Sequence, residues 1–220
     1  MKVSLVSITE PCADLVEQGI ITADDLIAYC ARVSNPSNQL NTETAPRLLA
    51  YCIKHGHWSV FETASMTLEM QTSRAIAAQI LRHRSFTFQE WSQRYAESTE
   101  LESVELRSQD QRNRQASGEL VSDSALYSLV HAATAHAFEA YEELIQRGVS
   151  RETARMVLPL CTRTRLYVTG NVRSWIHYFD QRCSPNTQRE HRLLAQDARA
   201  IFAAQFPAVW AALQMREGKP

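Results

Sequence analysis

Glycine is scarce in this chain of 220 residues, occurring only at positions 19, 56, 118, 148, 170 and 218. No two glycines stand close enough for a P-loop or a dinucleotide fingerprint, so a bound nucleotide must be held by other means. The five cysteines (Cys12, Cys30, Cys52, Cys161, Cys183) are odd in number and form no CxxC pair. That pattern argues against a disulfide frame or a zinc ribbon and fits reduced thiols. No apolar run approaches the roughly 18 residues of a membrane span, and the segment from Met1 to Ile8 soon meets Glu10 and Asp14. Neither a signal peptide nor a membrane partner is expected, and the expected location is cytoplasmic. Excess charge is missing too: 23 basic and 24 acidic side chains give a net charge of -1, unlike the basic excess of a general nucleic-acid binder. Lysine itself is rare, with Lys2, Lys54 and Lys219 set against 20 arginines. Composition leaves two explanations for that imbalance. One is codon usage; the other is a need for the planar fork that grips phosphate and carboxylate bidentately.

What is present reads as one helix-rich α+β domain over residues 1–220, with a small, mostly antiparallel sheet. The run Val3 to Ile8 alternates like a strand. Thr22 followed by Ala-Asp-Asp starts a helix with Leu26, Ile27, Cys30 and Val33 on one face. A second helix begins near Thr42, carries Pro46 in its first turn and stops at Gly56. Phe61 to Gln71 reads as a strand and Ser73 to Arg84 as a helix. Residues 107–119 are polar and unpatterned, as in a surface loop. The longest helix is expected from Ser122 to Arg147, with Leu126, Leu129, Val130 and Tyr141 in register and Gly148 as its stop. Ser150 caps a short helix ending before Pro159, Leu166 to Thr169 reads as a strand, and two helices, from Asn171 and from about Thr187, complete the chain.

Three stretches carry chemistry. The first, Arg82 to Arg94, packs three Arg, one His, one Glu and three aromatics into thirteen positions. Successive helical residues point about 100° apart, so Arg82, His83 and Arg84 fan in three directions, more than helix capping needs. Ser92 has no base beside it, and a guanidinium cannot take a proton; donation to a phosphate or carbonyl suits it better than nucleophilic attack. In the second stretch Asn171 is an N-cap, and Arg173, His177 and Asp180 share a helix face. Arg182 falls on the opposite side among Trp175, Tyr178 and Phe179, where a charged head needs water or an anionic or carbonyl-rich ligand. The third, His55-Gly-His57 followed by Glu62, could be read as metal ligands, but its spacing matches no strong zinc signature, and no metal is expected.

Arg82-His83-Arg84, then Ser92 and Arg94 after seven intervening residues, resembles the signature of the flavin-dependent thymidylate synthase family. Similar blocks follow the family's order: Ala31 to Ser34, Lys54 to Glu62, Arg151 to Leu160, and Asn171 through Arg182. Thr87 and Gln89 stand where many members carry Ser and Asn, and His177 where some carry Asn. The resemblance implies reductive methylation of dUMP to dTMP, with methylenetetrahydrofolate as carbon donor, NADPH as reductant and FAD as cofactor. It also implies a homotetramer with active sites shared between subunits. By matching positions it implies dUMP contacts from Gln79, Arg82, Glu90, Ser92, Gln93, Arg94, Arg155 and Arg182, with Arg182 against the uracil ring as the catalytic group. FAD contacts are implied for Ser59, Arg82, His83, Arg84, Glu90, Asn171, Arg173 and His177. Two other readings compete on the residues alone: an RNA-binding module using Arg and aromatic stacking, and a metal-dependent hydrolase built on His55, His57 and Glu62.

Overall fold

Alternation builds the centre of the molecule, a computed structural model that describes residues 1–97, 100–114 and 116–216. In β2 (Ser65–Ser73), Met66, Leu68, Met70 and Thr72 point inward while their neighbours are half-exposed. In β6 (Arg163–Asn171) the buried set is Thr164, Leu166, Val168 and Gly170. The two strands pair antiparallel with these sets in register, Leu68 opposite Val168 and Met66 opposite Gly170. Adding β1 (Lys2–Ile8) beside β2 and the four-residue β3 (Thr87–Glu90) beside β6 gives an antiparallel sheet of order β1-β2-β6-β3.

Helices α1 (Ala13–Glu17), α2 (Ala23–Ala31), α3 (Ala45–His55) and α4 (Arg74–Ile80) lie in the first half of the chain. The second half holds α5 (Ser124–Gln146), α6 (Arg151–Ala154), α7 (Val172–Arg182), α8 (Arg189–Gln205) and α9 (Pro207–Arg216). Local chemistry sets several of their ends. Thr22 and Asp25 form a reciprocal capping box for α2, Asn171 accepts from the Ser174 N–H at 2.8 Å to start α7, and Gly56 ends α3 at φ +71°, a conformation that favours glycine.

One hydrophobic core joins these elements, from Ala23 of α2 to Leu213 of α9. At its middle the fully buried Trp175 donates from its indole N–H to the Met66 carbonyl at 3.0 Å, and its ring lies 4.5 Å from that of Phe86. Phe86 in turn covers Gly170, where a Cβ would come within 2.2 Å of the Phe86 ring. Any larger residue at 170 would push that ring away from the turn leading into β3.

Several sequence expectations change here. The helix from Ser73 stops at Ile80, because the His83 N–H turns back to the Ile80 carbonyl and His83 itself is buried. Residues Trp58–Glu62 form a 3-10 turn, so the strand expected from Phe61 begins only at Ser65. The strand read as Leu166 to Thr169 extends from Arg163 to Asn171, its polar outer residues having hidden its length. The polar stretch 107–119 is not a bare loop: β4 (Arg107–Gln109) and β5 (Ser117–Leu120) pair as a ribbon, with Gln115 outside the described residues. The last expected helix is broken at Phe206–Pro207 into α8 and α9. Val33 lies beyond the end of α2 and is exposed. In α5 the expected apolar register is not a core: Tyr141 is buried, while Leu126 and Leu129 are exposed.

Candidate functional site

The turn after α4 carries Arg82, His83 and Arg84, and burial separates them. Arg82 and Arg84 are exposed, with no hydrogen-bond or ion-pair partner among the described residues, whereas His83 is buried at 7% exposure. His83 meets the end of α7: Arg182 Nε donates to His83 Nε2 at 2.7 Å. An acceptor at Nε2 requires a neutral ring with its proton on Nδ1. Burial first, then the Arg182 charge and His177, pushes His83 down to about 4. The Arg182 bond uses Nε alone, leaving both Nη groups for a ligand. Arg182 is thus held by a neighbouring ring through Nε.

Behind this pair stands Tyr178, fully buried, its ring edge-on to His83 with centroids 5.0 Å apart. Its hydroxyl lies 3.1 Å from His191 Nε2, and His191 Nδ1 lies 3.2 Å from Gln79 Oε1. Gln79 Nε2 donates to the exposed Gln188 at 2.6 Å. The structure therefore brings Gln79 and Arg182 to one connected group through Tyr178, His83 and His191.

The outer face of α7 shapes a cleft of about 540 Å3, lined by Asn171, Arg173, His177, Trp58, Glu62 and Ser85, among others. That volume lies inside the roughly 300–1,000 Å3 range of ligand clefts. Arg173 is paired with Glu62, both about half-exposed. Ser59 sits exposed on the same 3-10 turn as Trp58. The shared face expected for Arg173, His177 and Asp180 is present, since all three line this cleft.

Two further groups stand apart. Glu90, on β3, accepts through one oxygen, Oε1, from both Arg74 and Thr164, so Oε2 is uncommitted. Arg94 and Arg155 converge on Glu152: Arg94 pairs with its carboxylate at 3.1 Å, and Arg155 Nε donates to its carbonyl at 3.3 Å. Ser92 accepts from the Arg94 N–H at 3.3 Å in the same turn, and Gln93 is buried. Among the described residues, no hydrogen bond or ion pair of Arg94 or Arg155 reaches the Arg182 group.

Sequence reasoning missed Arg74, Thr164, Tyr178 and His191. Nothing in spacing joins Arg74 to Glu90 sixteen positions on. His191 did carry a signal: it begins the stripe His191, Leu194, Ala195, Ala198 and Phe202, all buried on one side of α8, and a histidine on such a stripe needs partners. The metal reading loses its carboxylate to Arg173. His55 and His57 lie instead around the exposed Tyr51 ring, at centroid distances of 4.2 and 5.7 Å.

Fold and site together define a class: a helix-rich α+β protein whose candidate site is rich in arginine and has no glycine-rich loop. The chain belongs to the thymidylate synthase complementing protein family, whose model matches residues 16–208. It is 49% identical over 218 residues to the flavin-dependent thymidylate synthase of Synechocystis sp., covering 97% of this chain and 100% of that one. It is also 49% identical over 217 residues to a Paramecium bursaria Chlorella virus 1 protein named "Probable flavin-dependent thymidylate synthase", covering 97% and 99%. A crystal structure of the UMP/dUMP methylase PolB from Streptomyces cacaoi, bound with 5-Br dUMP, shares the fold. Its TM-score is 0.80 at 24% identity, over 97% of this chain and 94% of that one.

Proposed function

We infer that this chain is a flavin-dependent thymidylate synthase that converts dUMP to dTMP, with methylenetetrahydrofolate as carbon donor, NADPH as reductant and FAD as cofactor. The observation that carries the reading is Arg182: a guanidinium held by neutral His83 on an aromatic helix face, with both Nη groups free. Uracil becomes nucleophilic at its 5-carbon when negative charge on the ring is stabilised, and a preorganised cation in a partly buried site does this electrostatically. No cysteine nucleophile is then required. Arg94, Arg155 and Ser92 are suited to the dianionic phosphate, a group that favours bidentate guanidinium and hydroxyl donors. Gln79, Arg82, Gln93 and the free Oε2 of Glu90 complete the proposed dUMP set.

The residues of the cleft fit FAD. Trp58 and Ile176 offer apolar walls, Asn171, Ser85 and His177 polar contacts, and Arg173 a cation. The partnerless Arg82 and Arg84 would serve the pyrophosphate in place of a glycine loop, with Ser59 and Glu90 at the margin. His83 has only Nδ1–H left to offer the cofactor, since Nε2 is taken. When bound, the flavin supplies the hydride chemistry; the chain binds, orients and polarises.

Active sites shared between copies in a homotetramer are part of this proposal. Exposed Leu126 and Leu129 on α5, with Met156 and Leu160 beside α6, form an apolar surface that a second copy would cover. Arg94 and Arg155 meet at Glu152, with no hydrogen bond or ion pair to the Arg182 group among the described residues, which fits a site completed by two chains. A cytoplasmic location fits Cys12, Cys30, Cys52 and Cys161, none of them in a disulfide, and among the described residues no helix is long and apolar enough to cross a membrane. The test is the visible spectrum of the purified protein. A yellow protein whose reduced flavin is oxidised by dUMP plus methylenetetrahydrofolate, with dTMP formed, is expected. A preparation that takes up no FAD, or makes no dTMP with NADPH present, would sink the reading.

A further inference from the structure

We propose that His191 is a positioning residue for the nucleotide: with Tyr178 it fixes the side-chain amide of Gln79 so that the amide NH2 donates to an acceptor oxygen of the substrate. This rests on the thymidylate synthase reading and on Gln79 as a dUMP contact, and it names what sets the polarity of that contact.

A buried chain of hydrogen bonds fixes where the protons sit. Tyr178 is fully buried, and His191 is its one hydrogen-bond partner among the described residues, at 3.1 Å. A buried hydroxyl proton without an acceptor is costly, so the phenol donates and His191 Nε2 accepts. His191 is itself fully buried, and burial with the Arg182 charge nearby holds it neutral, down to about 3. A neutral imidazole that accepts at Nε2 carries its proton at Nδ1. That N–H points to Gln79 Oε1 at 3.2 Å, so the amide oxygen faces inward and the NH2 faces outward. The outward NH2 rests on Gln188, an exposed residue whose carbonyl a ligand oxygen can replace at little loss. Without the Tyr178–His191 relay the amide could turn over and present its oxygen, which repels an acceptor. The acceptor is a uracil carbonyl or a phosphate oxygen; both share the chemistry.

The test uses FAD-loaded enzyme, with dUMP, dCMP and deoxyuridine as probes and His191→Phe and Tyr178→Phe as variants. For His191→Phe the KM for dUMP is expected to rise about tenfold, with kcat within about threefold of the parent and flavin retained, as for one lost directed hydrogen bond. Tyr178→Phe, which removes a single oxygen, should move KM the same way by a smaller factor. If dUMP loses more affinity than dCMP, Gln79 meets the 4-carbonyl; if it loses more than deoxyuridine, Gln79 meets the phosphate. Either result supports the proposal. The 15N spectrum of wild-type His191 should show Nδ1 protonated. The Nε2 tautomer, or unchanged dUMP affinity in both variants, overturns the proposal. A wild-type enzyme that makes no dTMP overturns the functional reading, and this inference with it.

Discussion

The two faces of α7 hold their charges in opposite ways. Outward, Arg173 and His177 line an open cleft, the partnerless Arg82 and Arg84 are exposed, and the Arg173–Glu62 pair is half in water. Inward, Arg182 is gripped by a buried ring, and Tyr178 and His191 are sealed against movement. A cofactor that stays bound needs affinity, which mobile surface cations provide at modest worth per contact. A transition state needs charge already in place, which costs nothing further at the moment of reaction. In the proposed function the buried inner face would serve the electrostatic task, and the open outer face would serve binding.

Substitutions can break that contrast. The largest effect should come from Arg182→Ala, which is expected to lower dTMP formation by about a thousandfold or more while FAD absorbance stays with the protein. Equal loss of flavin would erase the distinction between the faces. Arg173→Ala should do the reverse, weakening FAD by about tenfold in a flavin titration and leaving the KM for dUMP nearly unchanged. A smaller effect belongs to the neutral histidines. His83 and His191, held at about 4 and about 3, take up protons on unfolding as pH falls below 6.5, so they withdraw stability across the window from 6.5 to about 4. Asp24 works against them. Its carboxylate accepts from the Ala208 and Val209 N–H groups, yet burial outweighs those donors and pushes it up to about 6, so the folded state gains its proton first. The denaturant midpoint should therefore fall on acidification near pH 5 with a slope of about one net proton, rising to about two in Asp24→Asn. A flat profile in both proteins would mean the inner face is not held neutral. Smallest of all, Ser92→Ala should raise the KM for dUMP by about fivefold with turnover retained. Complete loss of turnover with fold and flavin intact would instead make Ser92 a nucleophile.

The two stretches on which the proposed site draws stand out in the sequence by residue type and spacing, because each is local. Arg82 to Arg94 is one short strand between two turns, and Asn171 to Arg182 is one helix with its cap. What could not be read depends on contacts between distant residues. The helix ends at Ile80 instead of Arg84 because His83 is drawn inward to Tyr178 and Arg182, about a hundred positions away in sequence. β3 has four residues, too few for alternation to register, and exists because β6 pairs with it. β6 was visible only over Leu166 to Thr169, since Arg163 and Arg165 mask its polar end. The ribbon of β4 and β5 carries almost no apolar pattern; Glu105 binds it to α8 by accepting from both Arg107 and Arg189. As for the arginine excess, Arg74, Arg163 and Arg189 are engaged in internal ion pairs.

The Asp24 carboxylate holds the start of α9 across 184 positions of sequence, and it is one of several such links: α3 packs on α9, and α8 on β1. The early helices α2 and α3 pack on each other and on the turn Trp58–Glu62, but the rest of their apolar surface is covered by α9, so a growing polypeptide carries that part uncovered until α9 is made. Closing so long a loop costs entropy before any contact rewards it, and folds dominated by distant pairings reach the native state slowly. Refolding should accordingly have its slow step at the docking of α9, and a chain cut before Phe206 should expose the surface that α9 covers.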